Sequence, residues 1–408
     1  MATSVQSLPH QALRIEATSA SNLVAFESFD LPPSNQRVLG APHPANTVTP
    51  LALRPCTAAA TAADTITGAE PTLGNVIETV KFLQSQPQGG VLTQKLARHG
   101  TLLFRDLPIH DAQDFSRFAH AFGWTAHEII GIVVSRPVLA PNVAPANEAP
   151  KEVQIYNHNE SPQVPHAPEY IFFYGHRVPR TGGETPISSS LELFHRAKQE
   201  MPDFIAHLAE KGILSKVTYK PEVQYAGGST LRQAFGKEIH DGDDAATRRA
   251  KVEAQIARYG RGQYTTWEWR DDGSIVLTHR LPAIRTQPGT HFPTLFTGLA
   301  AYYKRFLAAH DGDGDARKNA TEQLYGDGTP IPEEYLAQLA AITDEIRVLH
   351  KWQRGDVLVY DNIVAQHGRQ PWQGEQEDRV VMASLFDSVV PGAYVPEEWA
   401  QVVQALEG

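Results

Sequence analysis

The sequence predicts a mainly β fold with α+β character: a double-stranded β-helix (a cupin-like jelly roll) with flanking helices and a helical insert. Runs of β-branched and aromatic residues, which favour strands, fall in two groups, one before about residue 189 and one after about residue 260. The stretch between them, 189–260, has apolar and charged residues at helical spacing. Two strand-rich halves joined through helices fit the two facing sheets of a jelly roll, and the other helices are expected to cover one outer face.

Two regions are distinguished along the chain. Residues 1–70 are rich in Ser, Pro, Asn and Ala with weak periodicity, so we expect a partly irregular N-terminal extension that packs on the main domain or on a partner subunit. Residues 71–400 are expected to form one domain, because one elaborated sheet can reach this size. A chain of 408 residues with 41% hydrophobic residues can bury a large core. The sequence does not indicate an oligomeric state.

The first half begins with helices. Gly100 is placed to end the second helix, and Asp111 is placed to cap the third. Phe115, Phe118 and Phe122 form one apolar stripe on that third helix, which indicates core packing rather than a flavin or nucleotide contact. The predicted elements are helices at 72–85, 91–99 and 111–123 and strands at 101–107, 128–134, 153–156 and 170–177.

The second half begins with the insert, where Pro202 suits the first turn of a helix that ends at Gly212. The acidic stretch 311–315, with Glu322, partly matches a calcium-binding loop. Ala316 stands where that loop needs glycine, so we favour a solvated acidic loop over a calcium site. The predicted elements are helices at 191–200, 202–211, 244–260, 298–310 and 333–347, a hairpin at 265–281, and strands at 283–297, 357–360 and 380–382.

Composition excludes several classes of protein. The net charge of −10 and the pI of about 5.9 argue against nucleic acid as a partner, because no basic surplus is available for phosphates. Cys56 is the single cysteine, which excludes an intramolecular disulfide and indicates a reducing compartment. Neither a secretory signal nor an apolar run of the roughly 18 residues that span a bilayer is present, so we expect a cytoplasmic protein without a membrane partner.

The most informative residues form an H-x-E triplet, His158-Asn159-Glu160, at the end of a strand-forming run. On a strand, residues two apart point to the same face, so the imidazole and the carboxylate are expected to converge while Asn159 faces away. His367, beyond the strand 357–360, supplies a second histidine. Together they make the 2-His-1-carboxylate set that binds non-haem iron(II) on one face and leaves the other face open.

A candidate anion clamp accompanies these ligands. Arg379 opens the last predicted strand, and Thr185 follows a Gly-Gly turn. An arginine can bind a dicarboxylate through a two-pronged, charge-assisted pair, and a threonine hydroxyl can share that carboxylate. The alternative is a structural ion pair of Arg379 with Asp378 or Glu377.

Other candidates follow from their position beside the ligands. Asp361 and Asn362 are expected either to orient His367 or its loop, or to form the turn that ends their strand. Two residues share the strand parity of His158 and a third lies two positions after His367, so they are expected to face the cavity. These candidate substrate-binding residues are Gln154, Tyr156 and Arg369.

Taken together, these motifs resemble the taurine dioxygenase-like (TauD/TfdA) family, and look closest to its clavaminate synthase-like branch, which uses H-x-E rather than H-x-D. The matching segments, within about residues 90–390, are HNES, FFYGHRVPRTGGETPIS, WQRGDVLVYDN, QHGR and DRVVMASL. The resemblance implies a jelly roll with iron(II) on the three ligands, 2-oxoglutarate on Thr185 and Arg379, and O2 as co-substrate. It implies an enzyme that converts 2-oxoglutarate to succinate and CO2 while oxidising an unactivated C–H bond.

The resemblance also bears on the reaction. Glu160 fills the position that related halogenases keep small for chloride, so halogenation is disfavoured. Ala383 stands where the taurine dioxygenase pattern carries a second arginine, which leaves the orientation of 2-oxoglutarate open. A small polar substrate is expected, an amino acid or an amino-acid-derived natural product of secondary metabolism; hydroxylation, desaturation and oxidative cyclisation stay open. The alternatives are a non-catalytic dicarboxylate-binding sensor and a zinc hydrolase, since zinc accepts the same ligands.

Overall fold

The computed structural model of the chain describes residues 13–15, 23–57, 71–87, 89–131, 136–146, 149–221, 229–260, 265–288, 290–310 and 322–388. Its helices are α1 (Leu73–Gln84), α2 (Val91–His99), α3 (Ala112–His120), α4 (Ser190–Glu200), α5 (Pro202–Lys211), α6 (Leu231–Phe235), α7 (Ala245–Gly260), α8 (Leu299–His310) and α9 (Glu333–Ile346).

The strands before the insert are β1 (Arg14–Ile15), β2 (Val24–Ser28), β3 (Arg37–Val38), β4 (Val48–Thr49), β5 (Leu51–Thr57), β6 (Thr101–Phe104), β7 (Thr125–Ala126), β8 (Ala144–Pro145), β9 (Ile155–His158), β10 (Tyr170–Arg177) and β11 (Thr185–Ser189). The later strands are β12 (Ile213–Tyr219), β13 (Thr265–Trp269), β14 (Ile275–Leu281), β15 (Ile284–Thr286), β16 (Pro293–Leu295), β17 (Glu322–Tyr325), β18 (Val348–His350), β19 (Val357–Asp361), β20 (Ala365–Arg369) and β21 (Val380–Asp387).

The larger sheet has the order β1-β2-β5-β6-β19-β10-β21-β7, with β8 paired to β21. Side chains alternate across its central strand β10, as the period of two requires. Phe172 and Tyr174 join the core formed with α1, α2 and α3. Ile171 and Phe173 point to the opposite face and join a second core. The sheet therefore has one face covered by helices and one face directed at the smaller sheet.

The smaller sheet has the order β18-β11-β20-β9, and it faces the inner side of the larger sheet. Ile187 on β11 and Ala365 on β20 pack with Phe173 and Tyr360 of the larger sheet. The metal-ligand candidates on β9 and β20 therefore lie on neighbouring strands of the smaller sheet. This two-sheet arrangement with flanking helices agrees with the mixed, strand-rich fold expected from the sequence.

The region between β11 and β18 contains more strands than predicted. Helices α4, α5 and α7 lie where they were expected, and β13 and β14 form the predicted hairpin at 265–281. Strands β12 and β17 extend this hairpin into a sheet of order β13-β14-β12-β17. Strand β12, seven residues from Ile213 to Tyr219, was not predicted; it follows directly on Gly212, which ends α5. The predicted single strand at 283–297 is instead two short paired strands, β15 and β16.

The N-terminal region contributes to the larger sheet. β2 pairs with β5, and β5 pairs in parallel with β6, so residues 24–28 and 51–57 extend the sheet from one side. Phe26 and Leu53 are fully buried in the core with α1–α3. The predicted strand at 128–134 is not formed in its described part, 128–131; the strand here is β7, at 125–126. The acidic stretch 311–315 lies outside the described residues.

Within the described ranges, no helix is long and apolar enough to cross a membrane.

Candidate metal centre

The pairing of β9 with β20 places His158 directly opposite His367. Their ring centroids are 4.7 Å apart. The Glu160 carboxylate oxygen Oε2 lies 3.2 Å from His367 Nε2 and 3.9 Å from His158 Nε2. One ligand atom from each of the three residues lies within 4.8 Å of the others. The donor set is two imidazoles and one carboxylate, which suits a divalent transition metal.

The ring of His158 is fixed by a hydrogen bond from its Nδ1 to the carbonyl oxygen of Tyr156, at 2.7 Å. Because a carbonyl oxygen only accepts, the proton is on Nδ1 and the lone pair is on Nε2, which faces Glu160. The ring of His367 is instead held by packing, with Phe173 at 5.0 Å and Tyr360 at 5.5 Å between centroids. Both imidazoles are therefore positioned before any ligand binds.

Glu160 lies beyond the end of β9, which stops at His158. Its backbone is held by Asn362: Glu160 N donates to Asn362 Oδ1 at 2.7 Å, and Asn362 Nδ2 donates to Glu160 O at 3.1 Å. Asn362 Nδ2 also donates to the carbonyl oxygen of Pro168, at 2.7 Å. The carboxylate is therefore aimed by an amide clamp on its main chain, and not by the pleat of a strand as the sequence suggested.

Asn159 faces away from the cluster, as expected from its position between the ligands. It is fully buried, and its Nδ2 donates to Asn362 O at 2.6 Å and to Ser190 Oγ at 3.0 Å. Its Oδ1 accepts from Thr297 N at 2.9 Å. Asn159 is thereby bonded to Ser190, the first residue of α4, as well as to Asn362 and Thr297.

Electrostatics favour the ligand form of the cluster. Burial lowers the pKa of His158 to about 4, so this imidazole is neutral at pH 7. Burial alone would raise the pKa of Glu160, but the hydrogen bond with His367 and the positive charges nearby outweigh it and lower the pKa to about 2. A neutral imidazole and an ionised carboxylate are the states that bind a metal cation.

Arg379 lies at the opening of β21, where its Nε donates to the carbonyl oxygen of Gly183 at 3.0 Å. Gly183 has a φ of +72°, and a Cβ there would lie 3.0 Å from Arg379 Cδ, so only glycine leaves room for the arginine. Burial lowers the pKa of Arg379 to about 9. Among the described residues no carboxylate forms an ion pair with it, so the expected alternative pairing with Asp378 or Glu377 is not formed.

Thr185 follows Gly183 by two residues and is buried at the start of β11. Its Oγ1 accepts a hydrogen bond from Trp352 Nε1 at 2.9 Å. A hydroxyl that already accepts from an indole has its own proton left to donate. The structure thus brings Thr185 and Arg379 to the same Gly183 turn, with a hydroxyl donor and a guanidinium that lacks a carboxylate partner.

A buried ionic network, which the sequence did not predict, supports this side of the site. Arg105 Nε and Nη2 bind the two oxygens of Asp356 at 2.8 and 2.9 Å. His350 Nε2 lies 3.3 Å from Asp356 Oδ2, and His350 is the cross-strand partner of Thr185. In the sequence, Arg105 and Asp356 are 251 residues apart, each next to a strand. A charge pair at that separation becomes visible only once the sheet brings the two strands together.

Arg369 is placed differently from the expectation of a substrate contact. Its Nη1 donates to Ala149 O at 3.0 Å, and its Nη2 donates to Pro150 O at 2.8 Å and Val153 O at 2.7 Å. Its guanidinium also lies 4.9 Å from the centroid of the Trp372 ring. These contacts tie down the loop before β9, and a direct role in substrate binding stays a prediction.

The remaining candidates lie close to the cluster in sequence. Tyr156 is half-buried on β9 on the same side as His158, with Lys304 of α8 5.9 Å from its ring centroid. Gln154 is half-buried just before β9. Asp361 forms the strand-end turn, since its Oδ1 accepts from Ile363 N at 3.0 Å. Of the Asp-Asn pair, only Asn362 contacts a ligand residue, and that residue is Glu160 rather than His367.

A second group of possible ligands, His127, His166 and Asp387, is also buried together. His127 Nδ1 lies 3.0 Å from both oxygens of Asp387. The two imidazole rings are stacked, with centroids 4.3 Å apart and an interplanar angle of 22°. An ion bound by both rings must lie near both ring planes, and stacked, nearly parallel planes offer no such point. We therefore interpret this group as a structural His–Asp contact.

Comparison with known proteins gives three findings. Residues 54–384 match the family model described as "Taurine catabolism dioxygenase TauD, TfdA family". The chain is 31% identical over 297 residues to the clavaminate synthase-like protein At3g21360 of Arabidopsis thaliana, covering 72% of this chain and 83% of the relative. It is 27% identical over 323 residues to the dapdiamide synthesis protein DdaC of Enterobacter agglomerans, covering 77% of this chain and 88% of the relative.

Among solved structures, a taurine dioxygenase from Burkholderia xenovorans aligns with 89% of this chain and 92% of its own, at 14% identity and a TM-score of 0.42. This likeness is too distant to add to the assignment, which rests on the family match and the first relative.

Proposed function

The chain belongs to the TauD/TfdA family of iron(II)- and 2-oxoglutarate-dependent dioxygenases, and on that premise we propose that it oxidises an unactivated C–H bond of a small polar metabolite. The observation that carries the proposal is the cluster of His158, Glu160 and His367, whose ligand atoms lie within 4.8 Å of one another. These three residues would hold the iron. The bound iron, with 2-oxoglutarate and O2, supplies the oxidation, and succinate and CO2 are the co-products.

The donor set fits the metal on grounds of charge as well as distance. One carboxylate and two neutral imidazoles leave a divalent cation with a net charge of about +1, which suits a further anionic chelator such as a 2-oxo acid. A zinc hydrolase would use the same three ligands. It would have no use for a buried arginine without a carboxylate partner beside the site, which is why the oxygenase is the better-supported assignment.

Arg379 and Thr185 would bind the distal carboxylate of 2-oxoglutarate. Arg379 offers two terminal nitrogens, because only its Nε is used by Gly183. Thr185 donates its hydroxyl proton while accepting from Trp352. Burial lowers the pKa of Arg379 because the buried positive charge is poorly solvated. A carboxylate bound here would supply a negative charge next to that guanidinium. The chain's own task is then to orient the co-substrate, to position the substrate carbon and to keep water out.

The substrate we propose is an amino acid or an amino-acid-derived natural product. The support is the clavaminate synthase-like character of the first relative and the name of the second, which links that protein to dapdiamide synthesis. Hydroxylation, desaturation and oxidative cyclisation all begin with removal of hydrogen from the substrate, so one site can serve any of them. Gln154 and Tyr156 are the residues we propose to face the substrate, from their position on or next to β9.

We further propose that the two facing sheets are the layers of a double-stranded β-helix. In this reading residues 71–400 form one oxygenase domain and residues 1–70 an extension that adds strands to its larger sheet. Strand pairing between β5 and β6 supports this, since it joins the extension to the domain by backbone hydrogen bonds.

The test is anaerobic and uses metal-free protein. Iron(II) and then 2-oxoglutarate are added, and the weak visible charge-transfer band of iron-chelated 2-oxoglutarate is recorded. We expect a band in the wild type and a band that requires at least tenfold more 2-oxoglutarate in Arg379→Ala. A protein that binds iron or zinc but gives no band would overturn the assignment in favour of a sensor or a hydrolase.

Replacement of the ligands tests the metal centre separately. His158→Ala, Glu160→Ala and His367→Ala are each expected to abolish iron-dependent formation of succinate. His240→Ala, an exposed histidine of the insert, is the matched control and should keep full activity. Full activity in any of the three ligand variants would exclude that residue as a metal ligand.

A further inference from the structure

Part of the N-terminal extension packs against the helices beside the smaller sheet. We call residues 37–49, which contain β3, β4 and the turn between them, the strap. His99 at the end of α2 ties the strap to the domain, because its Nδ1 donates to Val48 O at 2.7 Å. The family match begins at residue 54, so the family assignment gives the strap no role.

Arg37 of the strap joins two helices of the domain. Its Nη1 and Nη2 donate to Oε2 and Oε1 of Glu192 at 2.6 and 2.9 Å. Nη1 also donates to Ile346 O at 2.7 Å. Glu192 is buried in the first turn of α4, and Ile346 is the last residue of α9. Each charge therefore lies at the helix end that favours it, and the ion pair fixes the start of α4 against the end of α9.

His43 of the strap contacts the same helix start. Its Nε2 lies 2.6 Å from Ser189 Oγ. Ser189 is the last residue of β11 and caps α4 by accepting from Glu192 N at 3.2 Å. Between His43 and Arg37, the backbone of Gly40 approaches Glu192 so closely that a Cβ would lie 2.6 Å from Oε1. Three strap residues thus contact the junction of β11 and α4.

The next residue of this junction reaches the metal-ligand segment. Ser190 N donates to Val364 O at 2.8 Å. Ser190 Oγ accepts from Asn159 Nδ2 at 3.0 Å. Asn159 lies between His158 and Glu160, and Glu160 is beyond the end of β9. Because a hydrogen bond tolerates little displacement, the placement of this segment depends on where α4 begins.

We propose that the strap is a positioning element of the metal centre. Arg37 and His43 fix the start of α4, and Ser190 transmits that position to Asn159 and so to the two ligands beside it. The inference rests on the proposed function, and it adds to that function an element from outside the family match. It predicts weaker metal binding by strap variants that are still folded, whereas a purely structural strap would change the unfolding temperature alone.

The experiment uses the full-length, metal-free protein under anaerobic conditions. Iron(II) affinity is read from the charge-transfer band at saturating 2-oxoglutarate, and cobalt(II) affinity from the visible absorption of bound cobalt. Both are measured at a temperature where circular dichroism shows every variant folded. The variants are Arg37→Gln, Arg37→Lys and His43→Ala. The matched control is Arg54→Gln, which removes a partly exposed ion pair with Glu27 between β5 and β2 of the same extension.

We expect Arg37→Gln and His43→Ala to weaken both metals by roughly 2- to 30-fold, the range typical of residues that act through others. Arg37→Lys should recover part of the loss because it keeps the charge, and Arg54→Gln should match the wild type. His43→Ala leaves the ion pair of Arg37 intact, so it decides the question if Arg37→Gln does not fold. Wild-type metal affinity in His43→Ala, whatever its unfolding temperature, would overturn the role of the strap.

A double-mutant cycle tests the route through Ser190. Ser190→Ala should itself weaken metal binding, because it removes the bond to Asn159. In that background His43→Ala should add less than about twofold, since the connection through which it acts is already broken. Losses that multiply in the double variant would overturn this route.

The wild-type spectrum separates failure of the strap from failure of the proposed function. A wild type that binds cobalt(II) but gives no band with iron(II) and 2-oxoglutarate would refute the oxygenase assignment, while cobalt(II) affinity would still test the strap. A normal wild-type band, together with unchanged metal affinity in the strap variants, would refute the strap alone.

Discussion

Replacement of Asn362 by alanine tests whether the metal centre depends on the clamp that holds the Glu160 backbone. The side chain makes three hydrogen bonds, at 2.7, 3.1 and 2.7 Å, to Glu160 N, Glu160 O and Pro168 O. Asn362 is fully buried, so its loss leaves three backbone groups without partners. At about 1 kcal/mol for each bond, the free energy of unfolding should fall by roughly 3 kcal/mol.

The functional effect should exceed the effect on stability, because Glu160 lies beyond the end of its strand and has no ladder to hold it. Loss of a group that orients a metal ligand typically weakens metal binding by about 10- to 100-fold. Iron(II) affinity is measured by anaerobic titration of the metal-free protein, at a temperature where circular dichroism shows both variants folded. Asn157→Ala is the control, since Asn157 is also buried but bonds to Ser188 Oγ at 2.9 Å. Equal iron affinity in Asn362→Ala and the wild type would refute the clamp.

Three further outcomes are expected. Gly183→Ala brings a Cβ to 3.0 Å from Arg379 Cδ at a φ of +72°, so 2-oxoglutarate affinity should fall at least tenfold while iron affinity is kept; equal losses of both would contradict this. Burial raises the pKa of Asp361 to about 7, above the ordinary aspartate value of 3.8. The folded state then holds the extra proton, and stability falls as pH rises from about 4 to about 7, by up to about 4 kcal/mol. In Asp361→Asn the unfolding temperature should change less between about pH 4 and about pH 7 than in the wild type. Equal pH profiles for the two proteins would contradict this. Arg105→Leu leaves the buried Asp356 carboxylate without its bidentate partner, so thermal unfolding should show a loss of about 3–5 kcal/mol, and a loss below 1 would contradict this.

The sequence predicted the local elements well wherever a cap or a period marked them. Asp111 caps α3 by accepting from Asp114 N, and Gly100 ends α2 with a φ of +72°. The stripe of Phe115, Phe118 and Phe122 is buried in the core with α1. These features depend on residues within one turn of each other, which is the range over which sequence spacing carries information.

Features that depend on contacts between distant segments could not be predicted in the same way. Asn362 was predicted to orient His367 or to end its strand, but its amide reaches Glu160, 202 residues away. Arg369 was predicted to face the cavity because it lies two residues after His367, whereas its hydrogen bonds to the loop at 149–153 are visible only in the structure.

Arg379 also bears on how the enzyme would respond to its ligands. Its buried guanidinium costs free energy in the ligand-free protein, since no carboxylate of the described residues forms an ion pair with it. A ligand that supplies a carboxylate to Arg379 removes part of that cost, so its binding should raise the unfolding temperature by more than its contacts with the iron alone would give. Pyruvate, which lacks the distal carboxylate, should stabilise the iron-loaded protein less than 2-oxoglutarate at equal saturation. The difference should vanish in Arg379→Ala, because the site that distinguishes the two acids is then absent.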